Sequence, residues 1–167
     1  MKKESQFKTP ILIIAWKRPT KTKELINKIK SYNRFLNSDS LQKAYNFALD
    51  AHQNQKRDEG VPYIIHPVAV ANILTDLKLD SATITTGLLH DTLEDTLATE
   101  NEIEEKFGKE ILQLVNGVTK LSKIETYTEN KFQAENFRKL ILAMSKDIRV
   151  LLVKFCLLYT SPSPRDS

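Results

Sequence analysis

Apolar residues recur along most of this chain at intervals of three and four, the spacing that lines one face of a helix. Leu41, Ala44, Tyr45 and Ala48 follow the capping run Ser38-Asp-Ser and predict a first helix that stops near Lys56-Arg57. Pro67 suits the first turn of a second helix, whose apolar positions Val68, Val70, Ala71, Ile73, Leu74 and Leu77 predict burial on more than one side. Asp80-Ser81 opens a third, expected to run unbroken to about Asp95 with Ile84, Leu88 and Leu89 inward, and Gly87 permits close approach of another backbone. Thr99-Glu-Asn-Glu102 reads as a capping box, Gly108 as a stop, and Ile111, Leu112, Leu114 and Val115 as the face of the next helix. Gln133 to Lys154 reads as one long or once-bent helix.

The two ends depart from this pattern. Pro10 to Trp16 is a strand-like apolar run, followed by Lys17-Arg-Pro and a helical Glu24 to Lys30. A buried strand needs neighbours, and no second strand is evident in the body. The opening Thr9-Pro-Ile-Leu-Ile-Ile with its Arg18-Pro19 dipeptide resembles the start of family 2-like glycosyltransferases. At the other end, Cys156-Leu-Leu-Tyr-Thr-Ser-Pro-Ser-Pro-Arg-Asp-Ser167 places two prolines in three residues and resembles the conceptual translation of a transposase-type sequencing adaptor. The expected organisation is therefore an atypical head at 1–31, read either as foreign or as a genuine extension, a helical body at 32–155, and a non-native tail at 156–167. On that reading Asp166 is no ligand and Cys156 is not native.

Composition narrows the class. With 167 residues, 41% apolar and 28% charged, the chain has the makings of one soluble domain with its own core. The single cysteine excludes an internal disulfide and multi-cysteine metal sites, so a metal would need His and carboxylates. The net charge of +4 is uneven: residues 1–31 carry nine Lys or Arg against Glu4 and Glu24, and the remainder carries 16 basic against 19 acidic groups. The basic excess thus sits in one short segment without aromatic interleaving, which argues against nucleic-acid binding. The longest apolar run, Ile11 to Trp16, is far short of the roughly 20 residues that span a bilayer, so no membrane partner is expected and the cytoplasm is the default location.

The candidate chemistry lies between positions 57 and 95. His66 falls between two prolines before the second helix, and His90 and Asp91 are adjacent late in the third. Neighbours on a helix diverge by about 100°, so an ion shared by His90 and Asp91 needs a third ligand from elsewhere, for which His66 is the candidate. Glu94 and Asp95 follow Asp91 at i+3 and i+4, next to a helix end whose dipole disfavours negative charge. Spacing alone leaves this open. His66 could be a helix-entry residue, and Glu94-Asp95 could be solvated.

Several segments then reach a known family. Ala51-His-Gln-Asn-Gln-Lys-Arg57, Gly60-Val-Pro-Tyr-Ile-Ile-His-Pro67, Leu88-Leu-His-Asp-Thr-Leu-Glu-Asp-Thr96, Leu114-Val-Asn-Gly-Val-Thr-Lys-Leu121, Ala134-Glu-Asn-Phe-Arg-Lys139 and Ser145-Lys-Asp-Ile-Arg-Val150 resemble, in order and spacing, the N-terminal HD hydrolase domain of RelA/SpoT (Rel) proteins. The resemblance implies an all-α, HD-type helical bundle, here truncated at its C-terminus. It also implies manganese-dependent removal of pyrophosphate from the ribose 3′ position of guanosine tetra- and pentaphosphate, (p)ppGpp, returning GDP or GTP. By the same resemblance His66, His90 and Asp91 are metal ligands holding Mn²⁺, Glu94 and Asp95 the catalytic acidic pair, and Arg57 and Tyr63 nucleotide contacts. Asp58 departs from the basic or small polar residue of many relatives, which puts the grip on substrate there in doubt. Past Lys154 the family continues with an aspartate that completes the metal site and an asparagine that reaches the nucleotide, where this chain has Phe155-Cys-Leu-Leu. The competing expectation is a non-catalytic regulatory HD domain of a (p)ppGpp synthetase. Association of the longer parent with ribosomes is likewise implied by the resemblance alone.

Overall fold

The structure is a computed structural model that describes residues 20–33, 38–57, 60–126 and 147–160. The strand-like run at 10–16, Asp58, the start of the long helix expected at Gln133, and Asp166 lie outside the described residues. Eight helices are described: α1 (Thr20–Lys30), α2 (Ser38–Ala51), α3 (Ile65–Asp76), α4 (Ser81–Leu89), α5 (Thr92–Asp95), α6 (Glu100–Phe107), α7 (Lys109–Thr126) and α8 (Ile148–Thr160). Among the described residues the only β-type pairing is an isolated antiparallel bridge between Lys56 and Pro62. The all-α expectation therefore holds.

The core forms around α4, in which every residue from Thr83 to Leu89 is buried. A helix apolar on all sides has to be enclosed, and α4 is packed by α2, α3, α7 and α8. Its threonines are compatible with burial because a hydroxyl can bond back to its own helix, as Thr86 does to the Ala82 carbonyl at 2.8 Å. Gly87 faces α3, where a Cβ would stand 2.5 Å from Leu74 Cδ1 and 3.3 Å from Val70 Cγ1. A Cβ there would force the Leu74 side chain aside, so glycine lets the two helices pack closely at this point. Around this centre, α2 contributes Leu41, Ala44, Tyr45 and Ala48, the stripe its sequence predicts.

Four boundaries differ from the sequence-based expectation. The first helix ends at Ala51, not at Lys56-Arg57, because the chain turns at 52–54 and enters the Lys56–Pro62 bridge. The third helix is broken after Leu89: the Thr92 hydroxyl bonds the Leu89 carbonyl at 2.6 Å, and the Asp91 carbonyl collects the amides of Glu94 and Asp95, starting the separate turn α5. Of the helix expected from Gln133, the described part begins at Ile148, where the Asp147 carboxylate accepts the Arg149 amide at 2.9 Å, and it ends at Thr160 and not at Lys154, with Cys156 and Leu157 buried. Apolar residues at 156 and 157 keep the inward stripe of α8 going past Lys154. Finally, the helix of the head begins at Thr20 and lays Leu25, Ile26 and Ile29 into the same core as the body. A Lys28–Asp76 ion pair and a hydrogen bond from the Tyr32 hydroxyl to the Leu79 carbonyl at 3.2 Å tie α1 and the turn after it to the end of α3.

The capping box appears as expected, with the Thr99 hydroxyl accepting from the Glu102 amide and Glu102 Oε2 accepting from the Thr99 amide. Gly108, at φ 90°, joins α6 to α7 in a conformation that side chains resist.

Candidate metal centre

Three stretches of chain meet at one end of α4. The first is the bridge before α3, where the Arg57 amide bonds the Val61 carbonyl at 2.9 Å and the Tyr63 amide the Gln55 carbonyl at 3.1 Å. Gly60 turns this loop at φ 76°. The second is the first turn of α3, which carries His66. The third is the α4–α5 break, which turns Asp91 back toward α3 instead of letting it continue around a helix.

The result brings His66, His90 and Asp91 together, with one ligand atom from each within 4.8 Å of the others. The imidazoles are 8% and 2% exposed and meet edge to face, ring centres 5.2 Å apart. His90 Nδ1 lies 2.8 Å from the Gly87 carbonyl oxygen. A carbonyl can only accept, so Nδ1 carries the hydrogen, and in the neutral ring Nε2 presents its lone pair. That nitrogen stands 2.9 Å from Asp91 Oδ1 but off the hydrogen-bonding direction, and it has no hydrogen-bond partner. His66 Nε2 is 3.7 Å from Asp91 Oδ2, and His66 Nδ1 is likewise buried without a partner. A buried unpaired polar group costs about 1–3 kcal/mol, and two occur side by side. A lone pair aimed at a carboxylate is repulsive, so the pair is relieved either by a proton on that nitrogen or by a metal ion between them. Two imidazoles and one carboxylate are the donor set of a borderline divalent ion, so the residues fit a metal.

The electrostatics agree. Burial, then the nearby His90, lower the His66 imidazole to about 4 despite Asp91, so the ring is neutral and able to ligate near neutral pH. Burial pushes the Asp91 carboxyl up, but the proximity of His90 and the hydrogen bond from Tyr63 outweigh it and hold the group at about 2. The Tyr63 phenol is driven upward by burial and by the Asp91 and Asp95 carboxylates, and stays a donor. Its hydroxyl lies 2.7 Å from Asp91 Oδ2 and 3.0 Å from Asp95 Oδ2, sharing one hydrogen between the two acids.

Tyr63 and Asp95 thus join the cluster through a hydrogen bond. Glu94 is exposed on the same short helix. Arg57 is half-buried, near enough that its charge contributes to depressing His66. His52 and Gln55 were not among the expected site residues, yet His52 is 3% exposed and stacks on Tyr63, ring centres 4.5 Å apart. The signal was faint, namely a histidine just beyond the inward stripe of α2 with a glutamine three residues on.

Comparison with known proteins defines the class first. The family model of the HD domain matches residues 44–157. The chain belongs to the HD domain family, in its RelA/SpoT branch. It is 53% identical over 131 residues to the GTP pyrophosphokinase rsh of Brucella melitensis biotype 1, which covers 78% of this chain and 18% of that protein. It is 54% identical over 114 residues to the bifunctional (p)ppGpp synthase/hydrolase SpoT of Escherichia coli K12, covering 68% of this chain and 16% of that protein. The chain therefore spans less than a fifth of the length of these relatives. Among solved structures, one described as a metazoan ortholog of SpoT that hydrolyzes ppGpp matches with TM-score 0.53 and 26% identity, over 71% of this chain and 65% of that one.

Proposed function

We propose that this chain carries the hydrolase site of a Rel/SpoT-type protein, which removes pyrophosphate from the 3′ position of (p)ppGpp and returns GDP or GTP. One observation carries the reading: the His66, His90 and Asp91 ligand atoms converge within 4.8 Å while one buried nitrogen of each imidazole has no hydrogen-bond partner. His66, His90 and Asp91 hold the metal, taken as Mn²⁺. A divalent ion there supplies Lewis acidity toward a phosphoryl oxygen and makes water a better nucleophile. Asp95 and Glu94 supply carboxylates that take the proton of an attacking water. Tyr63 keeps Asp91 and Asp95 in register through its shared hydrogen, and Arg57 offers a planar cation to a phosphate. The names of the SpoT relative and of the metazoan ortholog support the substrate.

A second reading, a regulatory HD domain of a (p)ppGpp synthetase, draws support from the relatives named GTP pyrophosphokinase. A silent domain has no need to keep unpaired imidazoles buried, so hydrolysis is favoured. The test restores the relatives' continuation after Lys154 and assays Mn²⁺-dependent pyrophosphate release from ppGpp, with His90→Ala as control. Release that His90→Ala abolishes is expected; none from the restored protein overturns the hydrolase reading in favour of the regulatory one. Parallel assays with Mg²⁺ and Zn²⁺ decide the metal.

The same proposal covers the ends and the setting. Residues 156–167 are read as non-native, the part of the head before Thr20 as foreign, and the longer parent as cytoplasmic and ribosome-associated. The buried Leu25, Ile26 and Ile29 favour a join upstream of Thr20. A DNA read from single molecules across codons 1–35 and past codon 155 checks both joins, and an unbroken genomic read would remove them.

A further inference from the structure

Four residues beside the metal centre close a ring of contacts. The His52 imidazole stacks on the Tyr63 ring at 22° between planes. Its Nδ1 lies 2.6 Å from Gln55 Oε1, and Gln55 Nε2 in turn donates to the backbone carbonyl of Asp95. The Tyr63 hydroxyl then reaches the carboxylate of the same Asp95, and that of Asp91. Because the Asp95 carbonyl can only accept, the amide orientation of Gln55 is set, its oxygen faces His52, and His52 Nδ1 must carry the hydrogen. Asp95 is thereby gripped by both its backbone and its side chain from the connection between α2 and α3.

The ring is more than filler. His52 is buried, and its Nε2 has no hydrogen-bond partner among the described residues. An apolar ring would fill the same space without leaving that nitrogen unpaired, but it could not engage Gln55. Hydrogen-bond partners behind metal ligands set ligand orientation and metal affinity, and Tyr63 occupies that place for Asp91. His52 stands behind Tyr63 in turn.

We propose that His52 is a positioning residue of the metal centre, holding the Tyr63 ring by stacking and Asp95 through Gln55 so that the tyrosine hydroxyl keeps the Asp91 carboxylate aimed at the ion. The proposal rests on the metal-site reading above.

The test uses the full 167-residue chain and Co²⁺, titrated by visible absorption. Tyr63→Phe is expected to weaken Co²⁺ binding about tenfold and His52→Ala roughly three- to tenfold, while the double variant binds no more weakly than Tyr63→Phe alone. Wild-type affinity in His52→Ala, or losses that simply multiply in the double variant, overturns the proposal. A residue that only supports the fold would shift the urea midpoint without that coupling. Should His52→Ala fail to fold, His52→Phe carries the measurement: it keeps the stack and loses the Gln55 link, so Co²⁺ affinity falls roughly two- to threefold. Unchanged affinity there counts against the proposal. In the metal-free chain, the Tyr63 ¹³Cζ resonance moves in His52→Ala and stays nearer its place in His52→Phe. If it moves in neither, His52 does not position Tyr63. A wild-type chain that takes up no Co²⁺ sinks the metal-site reading instead, and the Tyr63 resonance still decides the role of His52.

Discussion

The two ends of α4 treat charge in opposite ways. At the N-terminal end, Asp80 stands at the position before the first turn, accepting from the Thr83 hydroxyl and, at 3.1 Å, from Arg149 on α8. The same guanidinium bonds Glu110 of α7 at 2.7 Å and Asp147 at 2.6 Å, so one cation serves three carboxylates across three elements. Acidic groups at a helix N-terminus also suit its dipole. At the C-terminal end, Asp91 sits against the unfavourable pole of α4, and the imidazoles beside it leave buried nitrogens unpaired. The first end is a saturated, half-exposed clamp. The second is buried and incomplete, which is the condition of a binding site: stability has been given up where an ion would restore it.

Asp91→Asn tests this contrast most severely. It removes the charge that faces the two imidazoles, so Mn²⁺ affinity measured by calorimetry should fall by about a hundredfold or more, while the metal-free urea midpoint falls only modestly, by the roughly 2 kcal/mol or less that the lowered Asp91 carboxyl implies. A metal-free chain that loses several kcal/mol would show that the C-terminal end is a structural clamp after all. Gly87→Ala strikes the wall between the ends. Its Cβ would crowd Leu74, costing about 1–3 kcal/mol in urea melts, and would shift the carbonyl that orients His90. Metal affinity should drop along with stability.

The pH response separates the ends further. His66 is held at about 4 when folded against an ordinary 6.5, so between these values the unfolded chain binds a proton that the folded one refuses. Stability of the metal-free chain is full above about pH 6.5 and falls as pH drops toward 4, by about 2 kcal/mol after allowance for solvent screening. His66→Gln should flatten that slope in urea midpoints measured across the range. Asp91, lowered from 3.8 to about 2, contributes stability that persists above 3.8 and is lost only as pH falls toward 2. The smallest effect is expected at the clamp. Arg149→Met leaves three exposed or half-exposed carboxylates near one another and should cost about 1–2 kcal/mol, less in high salt, with Mn²⁺ affinity unaltered. A loss of metal binding in that variant would mean the two ends are coupled through α4.

Much of this was readable from residue order. The stripe Leu41, Ala44, Tyr45, Ala48 and the box at Thr99 and Glu102 depend on contacts within a turn or two, and the structure reproduces them. His66, His90 and Asp91 could be singled out as a candidate set from their residue types and polar company, and the family resemblance supplied their roles. The break after Leu89 was missed because periodicity continues smoothly through Leu88 and Leu89 into Thr92, and a single threonine hydroxyl on a carbonyl ends the helix. His52 was missed for a related reason: its importance arises from Tyr63, eleven residues on, and from Asp95, forty residues beyond Gln55.

Local periodicity and capping were enough to establish a helical chain and to bring a few polar residues forward, since those signals act over one or two turns. Whether an imidazole on α3 confronts a carboxylate beyond α4 was settled by how closely Gly87 lets the two helices pack and by the sharp turn at Asp91. Distances between side chains far apart in sequence are sums over every intervening turn and contact, and no short stretch of residues encodes them.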